Sequence, residues 1–327
     1  MGTTMSDTDI NCSADNSRQK NFYSSKIFLW SGAIFSCFLW GSAFPVIKIG
    51  CREFSISSDN AAAQILFAGI RFLLAGLAVA TTGSIIRRRV IIPQKSSVPK
   101  IFKLSLFQTV AQYIFFYIGL SHTSGVRASI VQGTNVFAAL IVAGLIYKLE
   151  KLSLRKMIGC VIGFAGVVLI NTTGTSLSGG RFFKGDFLIM LSTVAYAFSS
   201  VLLKKYTKYE SPVVLSGHQF IVGGALLISA GLLTGGRLGN ISPAGIGSLL
   251  YLVFVSAAAY SIWSVLMKHY PVSRVAVFGF MTPVFGVITS LIFLNESADF
   301  GLVHLFSLML VCAGILTVNS DNTENAE

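Results

Sequence analysis

Residues 134–137 read Thr134-Asn135-Val136-Phe137, and 148 positions later residues 282–285 read Thr282-Pro283-Val284-Phe285. The same offset carries Arg71-Phe72 onto Gln219-Phe220, Ala165-Gly166 onto Ala313-Gly314 and Asn171 onto Asn319. Tyr113, His122 and Arg127 recur as Tyr260, His269 and Arg274 at an offset of 147. Trp40 and Lys48 recur as Tyr196 and Lys204 at 156, the extra length being lost in the loop after the first apolar stretch. So many matches in one order at nearly one offset mark an internal duplication, with copies over 27–171 and 185–319.

The chain around these motifs is apolar. Of 327 residues, 53% are strongly apolar and 12% charged, and the mean hydropathy is +0.72. A soluble domain carries roughly twice that charged fraction. The composition therefore argues against a water-soluble fold, a disordered chain or a nucleic-acid binder, despite a net charge of +12. Ten apolar stretches fall at 27–50, 62–83, 100–121, 126–147, 152–171, 185–206, 212–234, 244–268, 273–294 and 299–319. Each suits a helix crossing a hydrocarbon core of about 30 Å, and none alternates with the two-residue period of a barrel strand. The expectation is an all-α polytopic membrane protein with ten transmembrane helices, flanked by polar tails at 1–26 and 320–327.

Basic residues between the stretches orient it. With the N-terminus cytoplasmic, 17 Lys and Arg fall in cytoplasmic segments and 5 on the opposite side, as the positive-inside rule requires. The net charge is thus mostly topological, and both termini are expected in the cytoplasm of a cell (plasma or inner) membrane. Each copy holds five stretches, an odd number, so the second enters the membrane from the opposite face. Two inverted five-helix repeats are the device by which many secondary transporters expose a midplane site to each side in turn. The alternative is a duplication kept only for packing.

Other signals are weaker. The five cysteines form no CxxC pair and read as small buried hydrophobes, so neither metal nor cofactor is expected. Met1-Gly2-Thr3-Thr4-Met5-Ser6 fits a myristoylation pattern, although a chain with many spans needs no lipid anchor. No HExxH or similar string appears, and the repeat puts His122 and His269 on opposite faces, which argues against an embedded enzyme. The charged rings or carbonyl filters of a channel are not visible either.

The chain resembles the EamA-type transporters of the drug/metabolite transporter superfamily. The segments that carry the likeness are Phe38-Leu39-Trp40-Gly41-Ser42-Ala43-Phe44 with Lys48, Arg71-Phe72-Leu73-Leu74-Ala75-Gly76, Ala128-Ser129 with Thr134-Asn135-Val136-Phe137, and Glu150-Lys151-Leu152-Ser153. The second copy adds Thr282-Pro283-Val284-Phe285 and Asn295-Glu296. The resemblance implies export or exchange of small polar metabolites, often amino acids, or of amphiphilic toxic compounds. It also implies a central cavity walled mainly by spans 1, 3, 4, 6, 8 and 9.

Polar groups at mid-span are the candidate site, because lipid cannot satisfy them. They are Trp40 and Ser42 in span 1, Gln108 and Gln112 in span 3, and Gln132 and Asn135 in span 4. Tyr196 in span 6, Tyr260, Trp263 and Ser264 in span 8, and Thr282 in span 9 complete the set. Amides, hydroxyls and aromatic faces suit hydrogen bonding to amino or carboxylate groups and stacking on an apolar side chain or organic cation. The competing reading is interhelical packing. Arg71, near the middle of span 2 with no intramembrane Asp or Glu to pair with, reads as an anion contact, a gate, or a structural cap on carbonyls. Pro45 and Pro283 are candidate hinges, and His218 a candidate proton relay or a packing residue. Lys48 and Lys204, near span ends, are expected to snorkel to the interface. Gly159 and Gly163 allow close packing of span 5, against span 10 or a second subunit. The partners expected are the lipid bilayer and a small-molecule substrate, with a monomer or homodimer both open.

Overall fold

A computed structural model describes residues 25–148, 152–172, 180–270, 275, 277–296 and 300–319. Residues 1–24 of the N-terminal tail with the myristoylation pattern, the C-terminal tail, Arg274 and Glu150 lie outside the described residues. Every regular element among those described is helical. They are α1 (Lys26–Glu53), α2 (Ala61–Ile86), α3 (Lys95–Ser121), α4 (Gly125–Ile146), α5 (Leu154–Thr172), α6 (Gly180–Tyr206), α7 (Pro212–Leu233), α8 (Pro243–His269), α9 (Phe278–Leu294) and α10 (Leu302–Asn319). Seven helices, α1 to α4 and α6 to α8, are long and apolar enough to cross a membrane, and α9 and α10 are shorter apolar helices.

Local chemistry sets the boundaries. Ser25, Asn60, Ser124 and Ser242 stand at N-caps and accept the N–H of the residue three positions on. Pro212 and Pro243 open α7 and α8, where a missing N–H costs nothing. At the end of α2, Arg88 is left-handed (φ 50°), and the Arg89 N–H bonds the Ser84 carbonyl. At the end of α7, Gly235 is left-handed (φ 83°), and the Gly236 N–H bonds the Gly231 carbonyl. Both are Schellman caps, and they stand 147 positions apart. Lys148 and Asn295, the left-handed residues after α4 and α9, share that spacing.

Small residues decide which helices meet. α2 and α7 run antiparallel in close contact: a Cβ on Gly76 would lie 2.6 Å from the Ile221 nitrogen, and one on Gly224 would strike the Leu73 nitrogen. Shifting the first contact by 148 positions gives the second. α5 and α10 are antiparallel too, with Gly166 against the Ser307 carbonyl and Gly314 against the Gly159 carbonyl, again a pair under the same shift. Gly159 thus serves packing on α10 within the chain, and the Gly163 backbone lies against Gly314 of α10 while its missing Cβ makes room for Phe137 of α4. The other main pairings are α1 with α8 and α9, α3 and α4 with α6, and α4 with α9. This pattern is unchanged when each helix is replaced by the one five places along.

Contacts between loops fix the two ends of the bundle. Arg87 donates to Ser211, the Gln94 N–H to Glu210, and the ammonium groups of Lys100 and Lys205 lie over Tyr209 and Tyr147. This is the basic end. Partial burial works against the Glu210 carboxylate there, but the N–H groups of Gln94 and Ser211 and the nearby His218 outweigh it and hold its pKa below the usual carboxylate value. The opposite end gathers Glu53 with Ser242, Ser121 with the Ser58 carbonyl, and Lys48 with Glu296.

Three stretches expected as continuous α-helix are not. α3 contains a π-helical run over Leu106–Ala111. α4 breaks at Gly133 and Thr134, resumes at Asn135 and ends in a π-helical run over Val142–Ile146. α9 begins as a 3-10 turn, Val277–Phe280, before its α-helix starts at Met281. Pro283, expected as a hinge inside a span, therefore sits in the first α-helical turn, where it breaks no intrahelical bond.

Candidate functional site

The hydrophobic core is continuous at the end opposite the basic one and divides toward the basic end. The main cluster includes residues of both helix sets, α1, α8 and α9 on one side and α3, α4 and α6 on the other. Nearer the basic end, Leu29, Ala33 and Cys37 of α1 pack with Leu266, Val275 and Phe278. Separately, Val142 and Ala143 of α4 pack with Ala197 and Val201 of α6, and Ile101 and Leu104 of α3 with Leu202 and Leu215. Half-buried side chains stand where the division begins: Trp40, Gln132, Asn135, Tyr196, Trp263 and Thr282.

Above that division is a box of four aromatic rings. Phe72 meets Tyr113 (centroids 4.1 Å apart), Phe220 meets Tyr260 (5.0 Å) and Phe72 meets Phe220 (5.2 Å). The Tyr113 and Tyr260 hydroxyls close the box at 3.2 Å. Phe72 and Phe220 are repeat equivalents, as are Tyr113 and Tyr260, so the box maps onto itself when the halves are exchanged. Trp40 extends it, edge-on to Tyr260 at 5.4 Å and against Trp263 at 5.0 Å. Such pairs each contribute about 0.5–1.5 kcal/mol beyond area burial.

Arg71 lies behind the box, 2% exposed. Its Nε donates to the Ser256 hydroxyl (3.1 Å) and the Leu252 carbonyl (3.3 Å), and Nη1 to the Tyr117 hydroxyl (3.0 Å). Its guanidinium carbon is 4.9 Å from the Phe72 centroid. Gln219, its repeat equivalent, accepts from Thr109 at 2.6 Å. Thr109 and Ser256 are themselves 147 positions apart, so one tie recurs in both halves. This geometry fits a structural arginine that anchors α2 to α3 and α8.

The amides of α3 differ. Gln108 and Gln112 are buried, yet among the described residues their carbonyl oxygens have no hydrogen-bond partner, nor has the Trp40 indole N–H. A buried polar group left unpaired costs about 1–3 kcal/mol; the Gln64 carbonyl, the Gln219 amide nitrogen and the Ser290 hydroxyl are others of this kind among the described residues. The π-helical run that contains Gln108 and ends just before Gln112 is a feature that recurs at functional sites. On α4 and α6, Gln132 accepts from Ser192 at 3.1 Å.

Other candidates are engaged in packing. Ser42 bonds Tyr251 at 2.7 Å and the Leu39 carbonyl. Thr282 is half-buried at the start of α9, where the Cys37 thiol of α1 reaches the Phe278 carbonyl at 3.3 Å. Ser264 is buried on α8 next to Trp263. Asn135 restarts α4 after its break. Pro45 lies buried inside α1 and denies the Gly41 carbonyl its helical partner; the Thr289 hydroxyl of α9 lies 3.3 Å from that oxygen, though nearer (2.7 Å) to Phe285 of its own helix. The His218 ring nitrogen Nδ1 donates to the Val214 carbonyl at 3.0 Å, one turn back on α7.

Lys48 does not snorkel outward. Its ammonium donates to the Thr123 carbonyl at 2.6 Å and lies 3.7 Å from Glu296. The Glu296 carboxylate accepts the N–H groups of Gly125 and Val126 at 2.9 and 3.0 Å, a capped helix N-terminus. Alongside, Asp186 binds Arg127 (2.6 Å) and Thr123 (2.7 Å), and Arg127 reaches the Ile170 carbonyl. Sequence reasoning missed this cluster, and Phe72, Phe220, Thr109 and Tyr117 as well. The repeat was the available signal, since equivalents that meet each other must lie on the axis relating the halves.

The EamA-like transporter family matches residues 28–172 and 183–320. An uncharacterized transporter of Archaeoglobus fulgidus is 29% identical over 80% of this chain and 88% of its own. A protein of Salmonella typhimurium named as a probable amino-acid metabolite efflux pump is 26% identical over 85% and 90%. An uncharacterized inner membrane transporter of Escherichia coli, YedA, is 24% identical over 79% and 80%. One solved protein structure, 16% identical, shares the fold with a TM-score of 0.63 over 88% of this chain and 96% of the other.

Proposed function

The chain belongs to the EamA-like transporter family, and from that premise we propose that it is a secondary carrier working by alternating access, which exports or exchanges a small polar metabolite, an amino acid or related compound. In this reading all ten helices cross the membrane as two inverted five-helix repeats. The antiparallel glycine contacts of α2 with α7 and α5 with α10, the matched caps and the self-equivalent aromatic box support the inversion. The basic end faces the cytoplasm of a cell membrane by the positive-inside rule, which puts both termini there.

One observation carries the substrate reading most directly: among the described residues, two buried glutamine carbonyls of α3 and the indole N–H of Trp40 have no partner, and Trp40 packs on Tyr260 and Trp263. Substrate amino and carboxylate groups would pair with these amides, and its apolar part would lie on Trp40, Trp263 and Tyr260. The name of the Salmonella relative points the same way. Export of an amphiphilic cation is the second reading, favoured by those aromatic faces. Loaded vesicles carrying the purified protein, tested with labelled amino acids and cationic dyes, separate the two. The first reading expects amino-acid flux that Gln112→Ala and Tyr260→Ala both weaken, whereas flux of dyes alone would favour the second. Flux of neither class would overturn both.

A further inference from the structure

Building on that carrier reading, we propose that Lys48 and Glu296, together with Arg127 and Asp186, form a latch that closes the end opposite the basic one, and that the Glu296 carboxylate leaves the N-terminus of α4 when that end opens. Lys48 and Glu296 belong to α1 and the end of α9, and their partners Thr123, Gly125 and Val126 to the other helix set. At the rim, above the apolar core that both sets share, the bond between them is thus polar. The side chains of Lys48 and Glu296 keep 26% and 13% exposure, so both charges can rehydrate once parted, as can the two freed N–H groups. A buried apolar contact offers no such compensation.

Beneath the latch, Gly125, Ser129 and Gly133 of α4 face Ser290, Gly286 and Pro283 of α9. The facing side chains are small and closely packed, with Leu294, Val311 and Phe44 at the edges of the seam. Asp186 completes the latch from α6 by holding both Thr123 and Arg127, which fixes the junction of α3 and α4 that Lys48 and Glu296 grip. The core that divides toward the basic end is what a carrier closed at the other end requires.

The test is a reversible lock. A Cβ on Gly125 would lie 3.1 Å from the Ser290 Cβ, close to the separation of about 3.5–4.5 Å that a disulfide spans. In vesicles, the oxidised Gly125→Cys/Ser290→Cys pair is expected to lose at least tenfold of its substrate exchange, recovered on reduction, while each single variant ignores the oxidant. Unchanged exchange by a chain shown to be bridged would overturn the latch, and failure to bridge would contradict the approach of the two helices. A substrate-free readout accompanies it. An Asn135→Cys thiol is labelled with a membrane-impermeant maleimide from each face, with the parent chain as baseline. Glu296→Gln should raise labelling from the latch face and lower it from the basic face; no change would sink the latch. If the parent exchanges no substrate, the carrier reading fails, and the labelling still decides the latch.

Discussion

The hydroxyls of Tyr113 and Tyr260, residues 147 positions apart in the chain, meet at 3.2 Å. Equivalent residues of two copies can touch only on the axis that relates the copies, so this contact marks the centre of the molecule. Phe72 and Phe220 meet beside it. Because α2 and α7 are antiparallel where they touch, the axis runs across the helices, which is the symmetry alternating access uses.

Tyr113→Phe and Tyr260→Phe should therefore behave alike. Each removes one hydroxyl of a buried pair and leaves the other without that partner, at about 1–2 kcal/mol. The double variant should cost no more than either alone, since the shared bond is lost once. Thermal unfolding in detergent measures this, and additive losses would show that the two hydroxyls act independently.

Arg71 and Gln112 should separate stability from binding. Arg71→Ala strands the Leu252 carbonyl, Ser256 and Tyr117 in the interior, a loss of about 3 kcal/mol or more, and should lower the Tm by about 5 °C or more. Gln112 makes no hydrogen bond through its carbonyl among the described residues, so Gln112→Leu should leave the Tm unchanged or raised while weakening substrate affinity about tenfold, equivalent to about 1.4 kcal/mol. Unfolding curves and a concentration series of transport check the two outcomes. A fall in Tm for Gln112→Leu with affinity intact would make it a packing residue.

The all-helical build and the family were legible in the sequence because apolar length and short motifs are one-dimensional signals. The four-residue spacing of Gly159 and Gly163 also pointed to close packing of span 5. The three helix irregularities were not legible. The π-helical run at Leu106–Ala111 and the break at Gly133 depend on how a turn packs against its neighbours, and no proline marks either. Lys48 was misread for a related reason. Its position near a helix end suggested snorkelling, but the Thr123 carbonyl and Glu296, 75 and 248 positions away, hold it inside. Among the candidate site residues, mid-depth polarity found both unpaired groups such as Gln112 and satisfied ones such as Ser42, because polarity alone does not distinguish a group with a partner from one without.

Two glycines should respond oppositely to a side chain. Gly76→Val forces atoms into the Ile221 backbone and should destabilise by about 1–3 kcal/mol, seen as a loss of folded, monodisperse protein. At Gly247 a Cβ would meet nothing within 4 Å, so Gly247→Ala should be neutral or slightly stabilising, since alanine favours helix over glycine by about 1 kcal/mol. Tolerance at Gly76 would refute the close α2–α7 contact.

The inversion predicts opposite exposure for matching loops. Asp59 lies in the loop after α1, and Lys208 in the loop after α6. With cysteine at each in turn and an impermeant reagent, Asp59→Cys should react from the outside of intact cells and Lys208→Cys only after the membrane is opened. Reaction of both from one side would mean that the two halves thread in the same direction.

Counter-transport tests the carrier claim most directly. Vesicles containing the protein are preloaded with unlabelled substrate and given a trace of labelled substrate outside. A carrier that must return with cargo predicts uptake that saturates with outside concentration and runs several-fold faster with the inner load than without it. Uptake that rises linearly and ignores the inner load would describe a pore and contradict the account.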